Sequence, residues 1–196
     1  VADLADLSHF TGLTTLTIQN VSGLDFSVLS QLTSLQTLDL SGCTISTGSL
    51  DAIAGLTGLR VLRLNNCALT DINALSQLTA LTELQLANNS LTDIGVTSLM
   101  LDLETVTLTN NPVTSIAGLS ACTKLKSLDI SGCSVTSIAS LSGKTALETL
   151  LAGNNQIADL SPLEGCTALA VLEVPYNLVS DISVLAQLPA LTRFVG

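Results

Sequence analysis

Leucine recurs along this chain at fixed intervals, in the pattern L-x-x-L-x-L-x-x-(N/C)-x-(L/I/V). A shortened copy opens at Leu191, and eight full copies open at Leu13, Leu35, Leu59, Leu81, Leu103, Leu125, Leu147 and Leu169. Successive copies begin 22 residues apart, except that 24 residues separate Leu35 from Leu59. A fixed period of this length indicates a repeat protein in which each unit packs on its neighbours.

Each repeat contains a short stretch in which apolar and polar residues alternate. In Leu84-Gln85-Leu86, for example, two apolar residues flank a polar one, which predicts a β-strand. Strands of successive repeats run in the same direction, and parallel strands need a crossover connection of about a dozen residues. The second half of each repeat supplies that connection, so the pattern predicts one parallel sheet with return segments on its other side.

The return half of the regular repeats carries a short polar residue at its thirteenth position. This residue is Asp25, Asp71, Asp93, Ser115, Ser137, Asp159 or Asp181. Its side-chain oxygen can accept from a backbone N–H two or three residues on, as at a helix N-terminus. We therefore expect a short 3₁₀ or α turn after each, and a fuller helical turn at the two-residue insertion near Ser46 to Ala54.

The two ends of the chain extend the same register. Asp3 occupies a capping position, with Leu4, Leu7 and Phe10 on the core positions that follow it, so residues 1–12 form the back half of a repeat. Residues 191–196 supply only the strand of another repeat. We predict a single domain over residues 1–196. Because solenoid ends need polar caps, we expect that the natural protein is longer at both ends or that a partner covers its ends.

The period and the local sequence together resemble a known family. The run from Leu78 to Ile94, LTALTELQLANNSLTDI, is similar to the leucine-rich repeats of bacterial internalins, and the similarity covers almost the whole chain. A eukaryotic phosphatase regulatory subunit uses repeats of the same length. The resemblance implies an α/β fold: a right-handed leucine-rich-repeat solenoid, with a curved parallel β-sheet on the concave side and short 3₁₀ or α turns on the convex side.

The charge balance narrows the choice of partner. Sixteen acidic and six basic residues give a net charge of −10, which argues against binding to nucleic acid. Six of the acids lie in the capping column, however, so local architecture explains much of the excess. No segment approaches the run of about 20 apolar residues that membrane insertion requires.

The five cysteines fall on repeat positions and therefore have a structural explanation. Cys43, Cys67 and Cys133 occupy the ninth position, where other repeats have Asn, while Cys122 and Cys166 occupy the twentieth. Cys43 and Cys67 lie in adjacent repeats within disulfide range, although free thiols are favoured because both side chains point inward in parallel. We expect no metal site and no cofactor.

Nothing in the sequence favours catalysis. His9 is the only histidine, and no Ser or Cys lies in a recognisable nucleophile motif. We therefore expect a protein that is not an enzyme. Two N-x-S sequons, at Asn20 and Asn88, share one repeat position, and their glycosylation stays an open question.

Binding residues are expected on the outward strand positions, because packing does not constrain them there. The candidates are Asp39, Arg60, Arg63, Glu83, Gln85, Lys126, Asp129, Glu173, Tyr176 and Arg193. We expect Arg60 and Arg63 to cluster beside Glu83, and Lys126 to lie beside Asp129. Tyr176 and Pro175 replace the small residues usual at the strand exit, which predicts a local distortion.

These observations favour a protein-binding module of a cell-surface or secreted protein, acting in adhesion or recognition of a host or surface receptor. An intracellular, cytoplasmic regulatory scaffold similar to the phosphatase subunit is the main alternative. Binding of polysaccharide or ice is a third function, through the threonine rows Thr15/Thr17 and Thr105/Thr107/Thr109. Charged and amide residues interrupt those rows.

Overall fold

The structure is a computed structural model that describes residues 4–196, apart from the side chain of Thr47. Within these residues one curved parallel sheet contains nine three-residue strands in chain order: β1 Thr15–Thr17, β2 Thr37–Asp39, β3 Val61–Arg63, β4 Glu83–Gln85, β5 Thr105–Thr107, β6 Ser127–Asp129, β7 Thr149–Leu151, β8 Val171–Glu173 and β9 Arg193–Val195. Equivalent repeat positions pair across the sheet, as Leu38 does with Leu62. The predicted solenoid and its strand positions are confirmed.

The return segments are 3₁₀ helices in all but one described repeat. They span Ala5–His9, Ser27–Gln31, Asn73–Gln77, Gly95–Leu99, Ala117–Leu119, Ala139–Leu141, Ser161–Leu163 and Ser183–Gln187. The exception is the α-helix α1, Thr47–Ala54, which uses the two extra residues. Its N-terminal residue Ser46 accepts a hydrogen bond from the Ser49 backbone N–H at 3.2 Å. The predicted turns and the fuller helical turn are confirmed.

The polar residue at the thirteenth position accepts a hydrogen bond from the backbone N–H two residues on, as expected. It lies one residue before the N-cap of the 3₁₀ helix. Asp25 Oδ1 accepts from the Ser27 N–H at 2.8 Å, and Ser115 Oγ accepts from the Ala117 N–H at 3.3 Å. These bonds begin each turn just before the 3₁₀ helix starts. The backbone bond from Ser27 also holds the pKa of Asp25 below its ordinary value. Asp3 lies outside the described residues.

The core is a continuous column of leucines and other aliphatic residues between the sheet and the return segments. Leu38, Leu62 and Leu84 are completely buried, as are Leu75 and Leu78 on the return side. The expectation for Phe10 is wrong, because its side chain is 57% exposed. In the outermost described coil only one flank has a neighbouring repeat, so an aromatic ring at this position lacks a second packing surface.

Buried asparagines at the ninth repeat position bind successive repeats together. Asn111 Nδ2 donates to the carbonyls of Leu86 in the previous repeat and Leu108 in its own, both at 2.8 Å. Its Oδ1 accepts from the Leu91 N–H at 3.0 Å. Equivalent bonds are made by Asn89, Asn155 and Asn177. We call this column of ninth-position residues the ladder.

Cysteine fills the ladder in three repeats and makes part of the same pattern. Cys67 Sγ donates to the Leu40 carbonyl at 3.2 Å, and Cys43 and Cys133 make the equivalent bond. All five cysteines are buried and free. Burial raises the pKa of the Cys67 thiol to about 11, so it stays a neutral donor at physiological pH. These thiols serve packing and hydrogen bonding.

Lys144 is buried in the core column of the return side, where other repeats have Leu, Met or Cys. Its side chain is 2% exposed, and Nζ donates to the carbonyls of Cys122 at 3.0 Å and Ser120 at 3.2 Å. Burial lowers the pKa of this amine, since two neutral carbonyls do not replace the hydration of a full charge. Lys144 therefore weakens the core at neutral pH.

The ladder should contribute strongly to the stability of the protein. Replacing Asn111 with Ala leaves the Leu86 carbonyl and the Leu91 N–H buried without their partner, so the free energy of unfolding should fall by at least about 3 kcal/mol. Asn111→Cys keeps a donor for the Leu86 carbonyl and should lose about half as much. Urea unfolding of both variants measures the difference, and equal losses would contradict the role assigned to the donor.

Lys144→Met should stabilise the protein by about 1 kcal/mol at pH 7. The folded-state pKa of Lys144 lies below its unfolded value of 10.5, so the unfolded chain binds the extra proton. Stability of the natural sequence therefore rises with pH up to about 10.5, and the advantage of the variant should shrink over that window. Unfolding of both proteins measured at several pH values tests this. An advantage independent of pH would contradict it.

Candidate functional site

The outward-facing residues of β1–β9, with the residue two places after each strand, form one surface that we call the concave face. Period-2 alternation directs these side chains away from the leucine core, and the parallel register aligns them in rows across the sheet. Core positions repeat the same residue types from coil to coil. The concave face does not, and its chemistry changes from one end to the other.

A continuous polar network covers the concave face over β1–β4. Arg63 donates from both Nε and Nη2 to Glu83 Oε1 at 2.8 Å, and Gln85 Nε2 donates to the same oxygen at 2.7 Å. Asn65 Nδ2 continues the chain by donating to Gln85 Oε1 at 3.0 Å. Both Arg63 and Glu83 are half-buried, so the guanidinium is held in one orientation. The predicted contact between Arg63 and Glu83 is confirmed.

Asp39 lies at the other end of this network and is almost fully buried. Its carboxylate accepts from Gln19 Nε2 at 2.7 Å and from the Ser41 N–H at 2.9 Å. Burial alone would raise the pKa of Asp39, but the bonds from Ser41 and Gln19 and the attraction of Arg63 outweigh it, and the pKa lies below its ordinary value. Asp39 is therefore a fixed negative charge.

The rest of the concave face is less charged. Over β5 and β6 it carries half-buried hydroxyl groups from Thr105, Thr107, Thr109, Ser127 and Ser131. Asp129 lies among them, and its Oδ1 accepts from the Ser131 N–H at 2.9 Å. Over β7–β9 the face is partly apolar: Leu151, Val171 and Val195 alternate with Thr149 and with an ion pair of 2.9 Å between Glu173 and Arg193.

Two predicted members of the site lie elsewhere. Arg60 and Lys126 lie directly before the first residues of β3 and β6, outside the outward strand positions. Neither forms an ion pair with the network around Arg63 or with Asp129. Lys126 instead pairs with Glu104 at 2.7 Å, beside a second pair of 2.6 Å between Lys124 and Asp102. The hydrogen bond from Lys124 holds the pKa of Asp102 below its ordinary value. The expected neighbours were wrong because the period-2 alternation begins only after these residues.

Sequence reasoning also missed two residues of the network, Gln19 and Asn65. Both lie at the seventh repeat position, two places beyond the last outward strand residue. The same alternation continues through that position, so extending the pattern by one more step would have included them. Their amide side chains then connect the strands to the exit turns.

Tyr176 is the one exposed aromatic residue near the concave face of the described chain. Its backbone has a φ of +57°, the left-handed conformation that Asn or Gly adopts at this position in every earlier full repeat. The expected distortion is wrong, because ladder residue Asn177 makes its usual bonds to the Ala152 and Val174 carbonyls. The ladder fixes the turn, and Tyr176 takes the strained conformation with its side chain 81% exposed.

Comparison with known proteins identifies the repeat. A family model described as Leucine Rich repeats (2 copies) matches residues 57–99 and 102–143, and one described as Leucine Rich repeat matches residues 31–54. No curated protein sequence matches the chain significantly. Within residues 4–196 we find no helix long and apolar enough to cross a membrane, and no group of three or more side chains suited to hold a metal ion.

Several solved structures resemble this chain over almost its whole length. Internalin C2 from Listeria monocytogenes is 29% identical with a TM-score of 0.91, over 97% of this chain and 82% of internalin C2. A second internalin of that species is 27% identical with a TM-score of 0.76, over 96% of this chain and 69% of its own. A leucine-rich-repeat protein from Leptospira interrogans shares the fold, with a TM-score of 0.84, 24% identity, and coverage of 96% and 50%.

Tyr176→Asn should raise the free energy of unfolding by about 1 kcal/mol, because Asn tolerates the left-handed conformation better than Tyr. The exposed ring makes few contacts that the change would remove. Tyr176→Phe is the control and should leave stability unchanged, since it keeps the same backbone strain. Urea unfolding decides the matter, and a variant with Asn no more stable than the natural sequence would show that the turn is unstrained.

Proposed function

Because this chain is an internalin-like leucine-rich-repeat protein, we propose that its concave face binds a protein partner in recognition or adhesion at a cell surface. The observation that carries the proposal is non-repeating chemistry on a repeating scaffold. Core positions keep aliphatic residues with few exceptions, ladder positions from β2 onward carry Asn or Cys, and capping positions carry Asp or Ser. The concave face instead changes from charged to hydroxyl to partly apolar. The requirements of folding explain the residues at the core, ladder and capping positions, but they do not explain the variation on the concave face.

The physical state of the face suits binding. Arg63 is held by Glu83, and Asp39 by Ser41 and Gln19, so little side-chain entropy remains to be lost when a partner contacts them. Arginine and tyrosine are, with tryptophan, the residue types enriched in interface hot spots. Arg63 lies on β3 and Tyr176 follows β8, so the two side chains are far apart along the face, which favours an elongated contact across the strands.

The apolar end supports a protein partner over a carbohydrate or ice surface. Leu151, Val171 and Val195 are outward residues of three successive strands, with Glu173 between Leu151 and Val195 in one row and Val171 in the other. Desolvation of these apolar side chains favours an apolar surface on the partner. The similarity to internalin structures supports a secreted or surface location. An intracellular scaffold would use the same face and differs only in the compartment of its partner.

Binding can be tested with a charged side chain placed at the centre of the face. The purified chain is first screened against a panel of recombinant receptor ectodomains and a matched panel of cytosolic proteins, and the strongest binder is kept. Thr107→Arg, on β5, should then reduce its affinity by at least ~100-fold because the long cation blocks close approach. Thr123→Arg places the same side chain on the return side and should have no effect.

Each outcome has a clear meaning. Equal loss with Thr107→Arg and Thr123→Arg would contradict a concave binding face, as would retention of affinity in both. A strongest binder from the cytosolic panel would overturn the cell-surface location and leave the face in place. Circular dichroism of both variants confirms that the repeats stay folded.

A further inference from the structure

The return side of the solenoid contains a groove that the concave proposal does not use. It lies beside α1 and has a volume of about 330 Å³. Its floor is apolar, formed by Ile45, Leu50, Leu69 and Ala74, and its rim carries Asp51 and Asp71. We propose that this groove binds an arginine side chain presented by a basic segment of a partner protein.

The groove exists because one repeat differs from the others. The eight-residue helix α1 replaces a 3₁₀ helix of three to five residues, and the groove opens between it and the next loop, residues 68–71. Ala68 in that loop has a φ of +55°. A residue with a Cβ adopts this conformation only at a cost, so the loop is held in an unfavourable shape where the groove forms.

The charges around the groove are not balanced within the described chain. None of the four ion pairs that the structure describes includes Asp51 or Asp71. Asp71 accepts from the Asn73 N–H and side-chain amide, both at 2.8 Å, which leaves its negative charge in place. Apart from buried Lys144, the basic residues lie in a strand or within three residues of one. None of the described ion pairs therefore supplies a cation to this rim, and a partner can provide one.

Arginine fits both parts of the groove. Its aliphatic stem can cover the floor of Ile45, Leu50 and Leu69 while the charged end stays at the rim, as long basic side chains commonly do. Its planar guanidinium can bond two carboxylates at once, which the compact ammonium of lysine does less well. The occupant is thus defined by charge complementarity together with an apolar stem.

The binding test uses two pentapeptides, acetylated and amidated, with a central arginine or a central citrulline between alanines. Citrulline has the same shape without the charge. In NMR titrations of the isotope-labelled chain, the arginine peptide should cause saturable shifts at the amides of Leu50, Ala68 and Ala74. We expect its affinity to exceed that of the citrulline peptide by ~10-fold.

Matched variants separate the groove from general acidity. Asp71→Ser keeps the turn, since Ser115 and Ser137 fill the same position, and should weaken the arginine peptide by ~3- to 10-fold, as should Asp51→Asn. Asp93→Ser removes the same charge from the same repeat position outside the groove and should have no effect. Ala74→Met should abolish binding by filling the floor.

Three results would overturn the proposal: equal affinity for both peptides, shifts located away from the groove, or equal weakening by Asp93→Ser and Asp71→Ser. Loss of the concave interaction with Thr107→Arg, measured separately, has no bearing on this site. The two proposals therefore succeed or fail independently.

Discussion

The ladder is the interaction on which the rest of the structure depends. A three-residue strand makes few hydrogen bonds with each neighbour, so the sheet alone leaves the polar groups of the exit turns buried without partners. Asn89, Asn111, Asn155 and Asn177 satisfy those groups across the repeat boundary, with bonds to both the previous coil and their own. Because each asparagine fits only one register, the leucine column and the outward rows align as a consequence.

The period and the side-chain types were enough to predict the solenoid, because core, ladder and capping positions each impose one physical requirement. Asp25 and Ser115 are interchangeable because each offers a short oxygen acceptor, and the structure confirms that use. Predictions became wrong where a residue lies outside the alternation, as with Lys126, or in the outermost described coil, as with Phe10. Side-chain partners along the sheet edge depend on geometry that the period does not contain.

The repeat architecture also explains why acidic residues dominate the return side, whereas basic residues lie at or near the strands. Turns on the return side need carboxylates or hydroxyls, and Asp fills most of those positions. Basic residues serve no such structural role there, and all except Lys144 lie at or near the strands, where Arg63, Lys124, Lys126 and Arg193 pair with acids. The convex surface is consequently anionic for structural reasons, and the groove beside α1 combines that charge with an apolar floor.

Two residues of the described chain break the rule for left-handed backbone. At this φ the other residues are Asn or Gly, which tolerate it, while Tyr176 and Ala68 do not. Both side chains are exposed, so neither is held in place by burial in the core. Folding alone would favour Asn or Gly at both places, so their retention points to a requirement outside folding. Tyr176 borders the concave face and Ala68 lines the groove, so the two exceptions to the structural rule coincide with the two surfaces proposed to bind partners.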